Sequence, residues 1–102
     1  MIIAVTCTEN ETIETLSDAE LFRVYEIENG NIKGSELIRT INAGHRIIAP
    51  FLAQKSVEAL ICGKADTKAK RIYGRHGLVL YPEQTGNTEE TIKNFLSGKF
   101  NY

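Results

Sequence analysis

The sequence predicts one α/β domain built on a mixed β-sheet. Two almost wholly apolar runs, Ile2–Cys7 and Val57–Gly63, have the composition of strands that are buried on both faces. An Asn29-Gly30 pair between two further strand-like segments predicts an antiparallel hairpin, because both central positions of such a turn need a positive φ. Helix-like and strand-like segments then alternate, which predicts parallel strands joined by right-handed crossovers.

The two strands of the hairpin are predicted over residues 21–27 and 31–41. In the first of them Phe22 and Val24 point to one face of the sheet and Arg23 and Tyr25 to the other. The segment before the hairpin is rich in acidic residues, and we expect it to be exposed.

Helical spacing of apolar residues places the first helix at about Ile47–Gln54 and leaves residues 44–46 in the loop that enters it. Pro50 then falls in the first turn of this helix, where its missing N–H costs little. The last strand is predicted over residues 78–84.

Capping residues bound the other two helices. Asp66 is a suitable N-cap for the second helix, and Gly77 a suitable end for it. Asn87 and Glu90 have the spacing of a capping box at the start of the third helix, which Gly98 ends.

Length and composition limit the classes of function. A chain of 102 residues suits one domain, and a net charge of −1 argues against a protein that coats DNA. The sequence contains no apolar run of membrane-spanning length, and its first residues lack the features of a signal peptide, so we expect a cytoplasmic protein. Cys7 and Cys62 are then expected to be free thiols.

Six segments resemble a known family in their order and spacing. They are "IIAVTC", the pattern A-x-x-F-x-V-Y-E-I at Ala19–Ile27, the Gly-His before the first helix, "VEALICG", "HGLVLY", and "TIKNFLSGK" at Thr91–Lys99. Together they resemble the dinitrogenase iron–molybdenum cofactor biosynthesis family, the small domain shared by nitrogenase accessory proteins and a molybdenum–copper cluster protein.

The resemblance implies a ribonuclease-H-like mixed sheet of five strands in the order 3-2-1-4-5. The second strand would be antiparallel, and about three helices would flank the sheet. It also implies that the protein binds or carries an anionic metal–sulfur cluster, either an iron–sulfur or a molybdenum-containing one. The expected partner is a cofactor-assembly protein or a metalloenzyme.

This strand order predicts a binding crevice. The first and fourth strands would be adjacent and parallel, and ligands bind outside the carboxyl ends of strands where the order reverses. Cys7 and Cys62 end these two strands, and His45 would approach from the loop before the first helix. These three residues are the predicted metal ligands, since thiolates favour copper, zinc and iron–sulfur species. The alternative is that both cysteines are small buried hydrophobic residues.

A basic turn follows the fourth strand and is the second candidate feature. Backbone N–H groups at the start of the second helix, with Lys64 and Lys68, would cradle an anion, and His45 and Arg46 would close one side. Gly44 and Gly63 complete the set of predicted binding residues. The alternative is a solvated helix face that binds nothing.

The sequence does not predict an enzyme. The first strand carries no carboxylate for two-metal chemistry, and the chain has no Walker lysine loop, nucleophile elbow or zinc-protease helix. Aromatic and basic residues do not interleave on strands, so we expect no nucleic acid partner.

Two other functions stay open at this stage. One is an interaction or regulatory module that has kept the fold without the cluster, and the other is a binder of a phosphorylated metabolite. We expect a monomer or a weak homodimer, since the hairpin leaves an outer strand that could pair.

Overall fold

The computed structural model describes residues 1–41 and 43–98. Its elements are β1 (Ile2–Cys7), a short 3₁₀ turn (Leu16–Asp18), β2 (Leu21–Glu28), β3 (Asn31–Arg39), α1 (His45–Gln54), β4 (Val57–Ile61), α2 (Thr67–Arg75), β5 (Val79–Tyr81) and α3 (Thr88–Leu96). The predicted order of elements is confirmed.

The five strands form one sheet in the order β3-β2-β1-β4-β5. β2 is antiparallel to both of its neighbours, and β1, β4 and β5 are parallel. The α/β fold, the strand order and the antiparallel second strand are therefore all as predicted.

The helices cover opposite faces of the sheet and create two apolar clusters. α1 and α2 cover one face, where Leu52 and Tyr73 pack with Phe22 of β2. α3 covers the other face, where Ile92 packs with Tyr25. The predicted alternation along β2 is thus confirmed, because its successive side chains enter different clusters.

The turn and cap predictions are also confirmed. Asn29 and Gly30 have φ values of 54° and 78°, as the hairpin requires. The Asp66 carboxylate accepts a hydrogen bond from the Ala69 N–H at 2.7 Å. The Asn87 side chain accepts one from the Glu90 N–H at 3.1 Å, so α2 and α3 both start at their predicted residues.

The predicted start of α1 is wrong by two residues, because the helix begins at His45. The Gly44 carbonyl accepts hydrogen bonds from the Ile47 and Ile48 N–H groups, both at 3.0 Å, which closes the first turn earlier than expected. Pro50 is therefore the sixth residue of α1 and lies in its second turn. Its missing N–H leaves one carbonyl near the helix start without a helical partner.

β3 is an outer strand of the sheet, and it contains a bulge. Glu26 pairs with Gly34 and Ile27 with Ile32, so Lys33 is an extra residue on β3. A lysine at a bulge is a device that discourages pairing between edge strands. Pairing of two chains through β3 stays a prediction. No helix within the described residues has both the length and the apolar character needed to cross a membrane.

Candidate functional site

The carboxyl ends of β1 and β4 are covered by the segment that follows β1. The Glu14 carbonyl accepts hydrogen bonds from the Gly63 N–H at 3.0 Å and from the Thr6 hydroxyl at 2.7 Å. The Leu16 N–H donates to the Lys64 carbonyl at 3.0 Å. The N–H of Gly63 is thus already bonded within the chain and is not free to donate to an anion.

Gly63 has a structural role at this junction. A Cβ atom on this residue would lie 3.1 Å from the Glu14 carbonyl oxygen, so the close approach of the two segments leaves little room for a side chain and favours glycine. The Gly63 carbonyl accepts a hydrogen bond from the Glu83 N–H at 2.8 Å, and the Cys62 carbonyl accepts one from the Gln84 N–H at 3.0 Å. Backbone hydrogen bonds to the segment after β1 and to residues 83–84 therefore fix the loop after β4.

Cys7 and Cys62 are directed to opposite faces of the sheet. β1 pairs with β4 through a one-residue irregularity at Glu58, after which Ile3 pairs with Ala59. A shift of one residue moves a strand's side chains to the other face relative to its neighbour. Cys62 accordingly lies in the cluster under α1 and α2, whereas Cys7 follows Ile3 in alternation on the α3 side. The expected convergence of the two thiols is wrong.

The environment of each thiol disfavours the thiolate in the metal-free protein. Cys62 is fully buried, and its burial raises the pKa of the thiol from its ordinary 9.0 to about 12. Cys7 is 2% exposed, and its pKa is raised first by burial and then by the nearby Glu11 carboxylate, against a smaller opposing effect of Arg23. Both cysteines are free thiols.

The third predicted ligand, His45, bonds to a residue that the sequence did not single out. Its Nδ1 lies 3.3 Å from the hydroxyl of Tyr73 in α2, and the two rings meet edge to face with their centroids 5.5 Å apart. Within residues 1–41 and 43–98, no three His, Cys, Asp or Glu side chains are grouped to hold a metal ion. Helical spacing places Tyr73 on the apolar face of α2, but it does not show what a buried hydroxyl contacts.

A basic groove lies between α1 and α2. It has a volume of about 420 Å³. The residues that line it are Arg46 of α1, then Lys68, Arg71, Ile72 and Arg75 of α2, and His76, which follows α2. This lining contains no carboxylate, so positive charge dominates the groove.

The lysines and arginines divide into those that form salt bridges and those that do not. Lys99 lies outside the described residues, and eleven lysines and arginines remain. Five of these lie in salt bridges: Arg23, Lys33, Arg39, Lys55 and Lys93. Six have no carboxylate at salt-bridging distance among the described residues: Arg46, Lys64, Lys68, Lys70, Arg71 and Arg75. All six lie on α1, on α2 or in the turn between β4 and α2.

The start of α1 adds to the positive field of the groove. Its N-cap is Gly44, which makes no side-chain cap, whereas the N-cap of α2 is the carboxylate of Asp66. The first N–H groups of a helix carry partial positive charge and favour anions. Of the predicted binding residues, Arg46 and Lys68 line the groove and Gly44 begins the helix beside it. Lys64 is exposed on the turn before α2 and is not part of the lining.

Comparisons with known proteins agree with this fold. A curated relative, the uncharacterised protein MJ0580 of Methanocaldococcus jannaschii, is 33% identical over 104 residues, which cover 97% of this chain and 88% of the relative. The crystal structure of PH0822 superposes with a TM-score of 0.91 at 16% identity and covers 99% of this chain and 93% of that one. The apo form of the orange protein from Desulfovibrio gigas has a TM-score of 0.77 at 21% identity, with 96% and 88% of the two chains covered.

The family comparison covers nearly the whole chain. The family model described as "Dinitrogenase iron-molybdenum cofactor" matches residues 1–98. The predicted resemblance is thereby confirmed, and the chain belongs to the dinitrogenase iron–molybdenum cofactor family.

Proposed function

We propose that the protein binds and carries an anionic metal–sulfur cluster that is held by the charge of the basic groove and not by thiol ligation. Membership of the family supports the kind of cargo. The geometry supports the place, because the thiols are buried and separated whereas the groove is open and positive.

The single observation that carries this proposal is the segregation of unpaired cations. A lysine or arginine on an ordinary surface often has a carboxylate nearby, as five of these side chains do here. Within the part of the chain that the structure describes, no carboxylate forms a salt bridge with Arg46, Lys68 or Arg71, and all three line one groove. An anion in that groove would supply the missing negative charge.

Electrostatic binding of this kind has a recognisable signature. Each contact between exposed charges is worth about 1 kcal/mol at 4 Å in water, so several cations must act together. Such contacts are screened by salt over about 10 Å at 0.1 M. We therefore expect reversible binding that weakens steeply with ionic strength, as suits a carrier that must release its cargo.

The proposed role is transport of the cluster without catalysis, between a cofactor-assembly protein and a metalloenzyme. The groove lining includes neither a carboxylate nor a thiol to act on a bound cluster. We place this role in the reducing cytoplasm, since both cysteines are free thiols.

The test is anaerobic binding of tetrathiomolybdate, alone and with copper(I), to the reduced protein, measured by equilibrium dialysis and visible absorption. The groove variant Arg46→Gln, Lys68→Gln, Arg71→Gln should bind on the order of 100-fold more weakly, if each of the three lost contacts contributes about 1 kcal/mol. The matched control Lys33→Gln, Arg39→Gln, Lys93→Gln also removes three positive charges, but from salt bridges outside the groove. It should bind within about threefold of the wild type, since distant exposed charges are screened.

Cysteine variants separate the proposal from its competitors. Cys7→Ser and Cys62→Ser should keep the bound colour as long as they stay folded. Loss of colour in a folded cysteine variant would instead establish thiol ligation. If the wild type binds neither probe, the chain is better explained as an interaction module that has kept the fold without the cargo.

A further inference from the structure

We propose that Tyr73 is a positioning residue for the groove, because its hydroxyl holds His45 and so fixes Arg46 opposite the cations of α2. This inference rests on the proposed function for its effect on binding. The hydrogen bond itself is a property of the free protein and can be tested separately.

The hydroxyl of Tyr73 is buried and therefore needs a hydrogen-bond partner within the protein. Tyr73 is completely buried between α1, α2 and the sheet. A buried hydroxyl without a hydrogen bond is costly, and the Nδ1 of His45 at 3.3 Å satisfies this one. Burial also raises the pKa of Tyr73 above its usual value, so the group remains a neutral hydroxyl at physiological pH.

This hydrogen bond connects the two walls of the groove. His45 is the first residue of α1, and Arg46 follows it directly. Tyr73 lies in α2, the helix that carries Lys68 and Arg71. The His45–Tyr73 contact therefore joins the residue next to Arg46 to the helix that supplies the opposite charges.

The start of α1 has no side-chain cap at its N-cap position. Gly44 offers no side chain to cap the helix, so no carboxylate or hydroxyl holds the first turn from that position. The edge-to-face contact between the His45 and Tyr73 rings adds to the hydrogen bond. Removal of the hydroxyl should thus loosen the first turn while the packing of the ring remains.

The first test compares Tyr73→Phe with the wild type for tetrathiomolybdate affinity. Loss of one hydrogen bond that orders the site should weaken binding about 3- to 10-fold. Tyr73→Phe in an Arg46→Gln background should have little further effect, since Tyr73 acts through Arg46. In an Arg75→Gln background its effect should persist in full, because Arg75 lies on α2 and does not depend on His45.

Two variants at His45 provide the matched control. His45→Asn can keep a polar atom near the position of Nδ1 and should retain most of the affinity, whereas His45→Ala should behave like Tyr73→Phe. Equal affinity of wild type and Tyr73→Phe would overturn the proposal. Equal losses in the Arg46→Gln and Arg75→Gln backgrounds would also overturn it, because they would indicate a general loosening of the domain.

A second measurement is independent of any ligand. Amide hydrogen exchange across residues 45–48 should be faster in unliganded Tyr73→Phe than in the wild type, with exchange in α3 unchanged. If the wild type fails to bind the anion, the proposed function fails, and faster exchange would still establish that Tyr73 holds α1. Unchanged exchange at residues 45–48 would refute the positioning role in either case.

Discussion

The two faces of the sheet use their charged residues in different ways. On the α3 face, Arg23 forms a salt bridge with Glu11, and the Thr88 hydroxyl donates to the same carboxylate at 2.9 Å. The Tyr25 hydroxyl lies 3.5 Å from the Thr88 hydroxyl and extends this polar network into the interior. Arg23 and Glu11 on this face therefore have internal partners.

The groove on the opposite face leaves its basic residues without such partners. Arg46, Lys68 and Arg71 line it between α1 and α2, and none of them has a salt-bridging carboxylate among the described residues. The contrast suggests that charge on the α3 face serves stability, whereas charge on the α1–α2 face is available for binding. Measurements of stability and of binding should therefore separate the two faces.

The largest expected effect on stability is on the α3 face. Arg23→Gln leaves the half-buried Glu11 carboxylate without its main partner. We expect a loss of about 2 kcal/mol, at the low end for a charged hydrogen bond because both side chains are partly exposed. Urea denaturation at pH 7 measures the loss, and Lys55→Gln, which removes an exposed salt bridge, is the control. Equal losses in the two variants would contradict the special role of the Glu11 network.

The same variant should change the response to acid. The hydrogen bond from Arg23 lowers the pKa of Glu11 below its ordinary 4.5. The stabilisation from the ionised Glu11 carboxylate is therefore complete above pH 4.5 and is lost as the pH falls through the lowered pKa of Glu11 in the folded protein. Between pH 6 and pH 3 the wild type should lose more stability than Arg23→Gln does.

The contact between the segment after β1 and the loop after β4 depends on Gly63. Gly63→Ala would place a methyl group 3.1 Å from the Glu14 carbonyl, which two hydrogen bonds already hold in place, so we expect a loss of about 1–2 kcal/mol. Gly74→Ala is the control, since a Cβ there meets open space and alanine favours a helix by about 0.5–1 kcal/mol. A neutral Gly63→Ala in thermal denaturation would mean that the covering segment is loosely held.

The buried thiols should make stability fall at alkaline pH. The Cys62 thiol has a pKa of about 12 in the folded protein against an ordinary 9.0, so the unfolded chain ionises first and stability declines as the pH rises above 9. Cys62→Ala should reduce that decline by about 1.4 kcal/mol per pH unit in this range. Cys7→Ala should reduce it over a narrower pH range, because burial raises the pKa of Cys7 without the large shift found at Cys62. The same pH dependence in both variants, measured by urea denaturation, would argue against this difference.

The smallest expected effect belongs to the basic face. Arg71→Gln removes one of two like charges four residues apart in α2, so we expect unchanged stability or a gain of about 0.3 kcal/mol. Such a variant should nevertheless bind tetrathiomolybdate more weakly than the wild type. A loss of stability comparable with that of Arg23→Gln would erase the distinction between the two faces.

The elements that local patterns control were predictable from the sequence. The Asn29-Gly30 turn, the caps at Asp66 and Asn87 and the alternation along β2 are set by nearby residues, and all are confirmed. The strand order came from the family resemblance and is confirmed as well.

The candidate site was predicted only in part, because it depends on contacts between distant segments. Without the irregularity at Glu58, the register that begins at Ile2 and Val57 would have placed Cys7 beside Cys62, as expected from the sequence. No local pattern marks that irregularity, and none shows that the Glu14 carbonyl bonds to Gly63. The cations of α2 were visible in the sequence, but their lack of carboxylate neighbours is a property of the folded chain.

Binding in the basic groove is tested most directly by mapping the bound anion by NMR. Amide chemical shifts of the ¹⁵N-labelled, reduced protein would be followed during titration with tetrathiomolybdate. An anion in the groove should produce the largest changes at the start of α1, residues 45–48, and along α2, residues 67–76. Changes concentrated at Cys7 and at residues 62–64, with α2 unaffected, would contradict binding in the groove and return the site to the ends of β1 and β4.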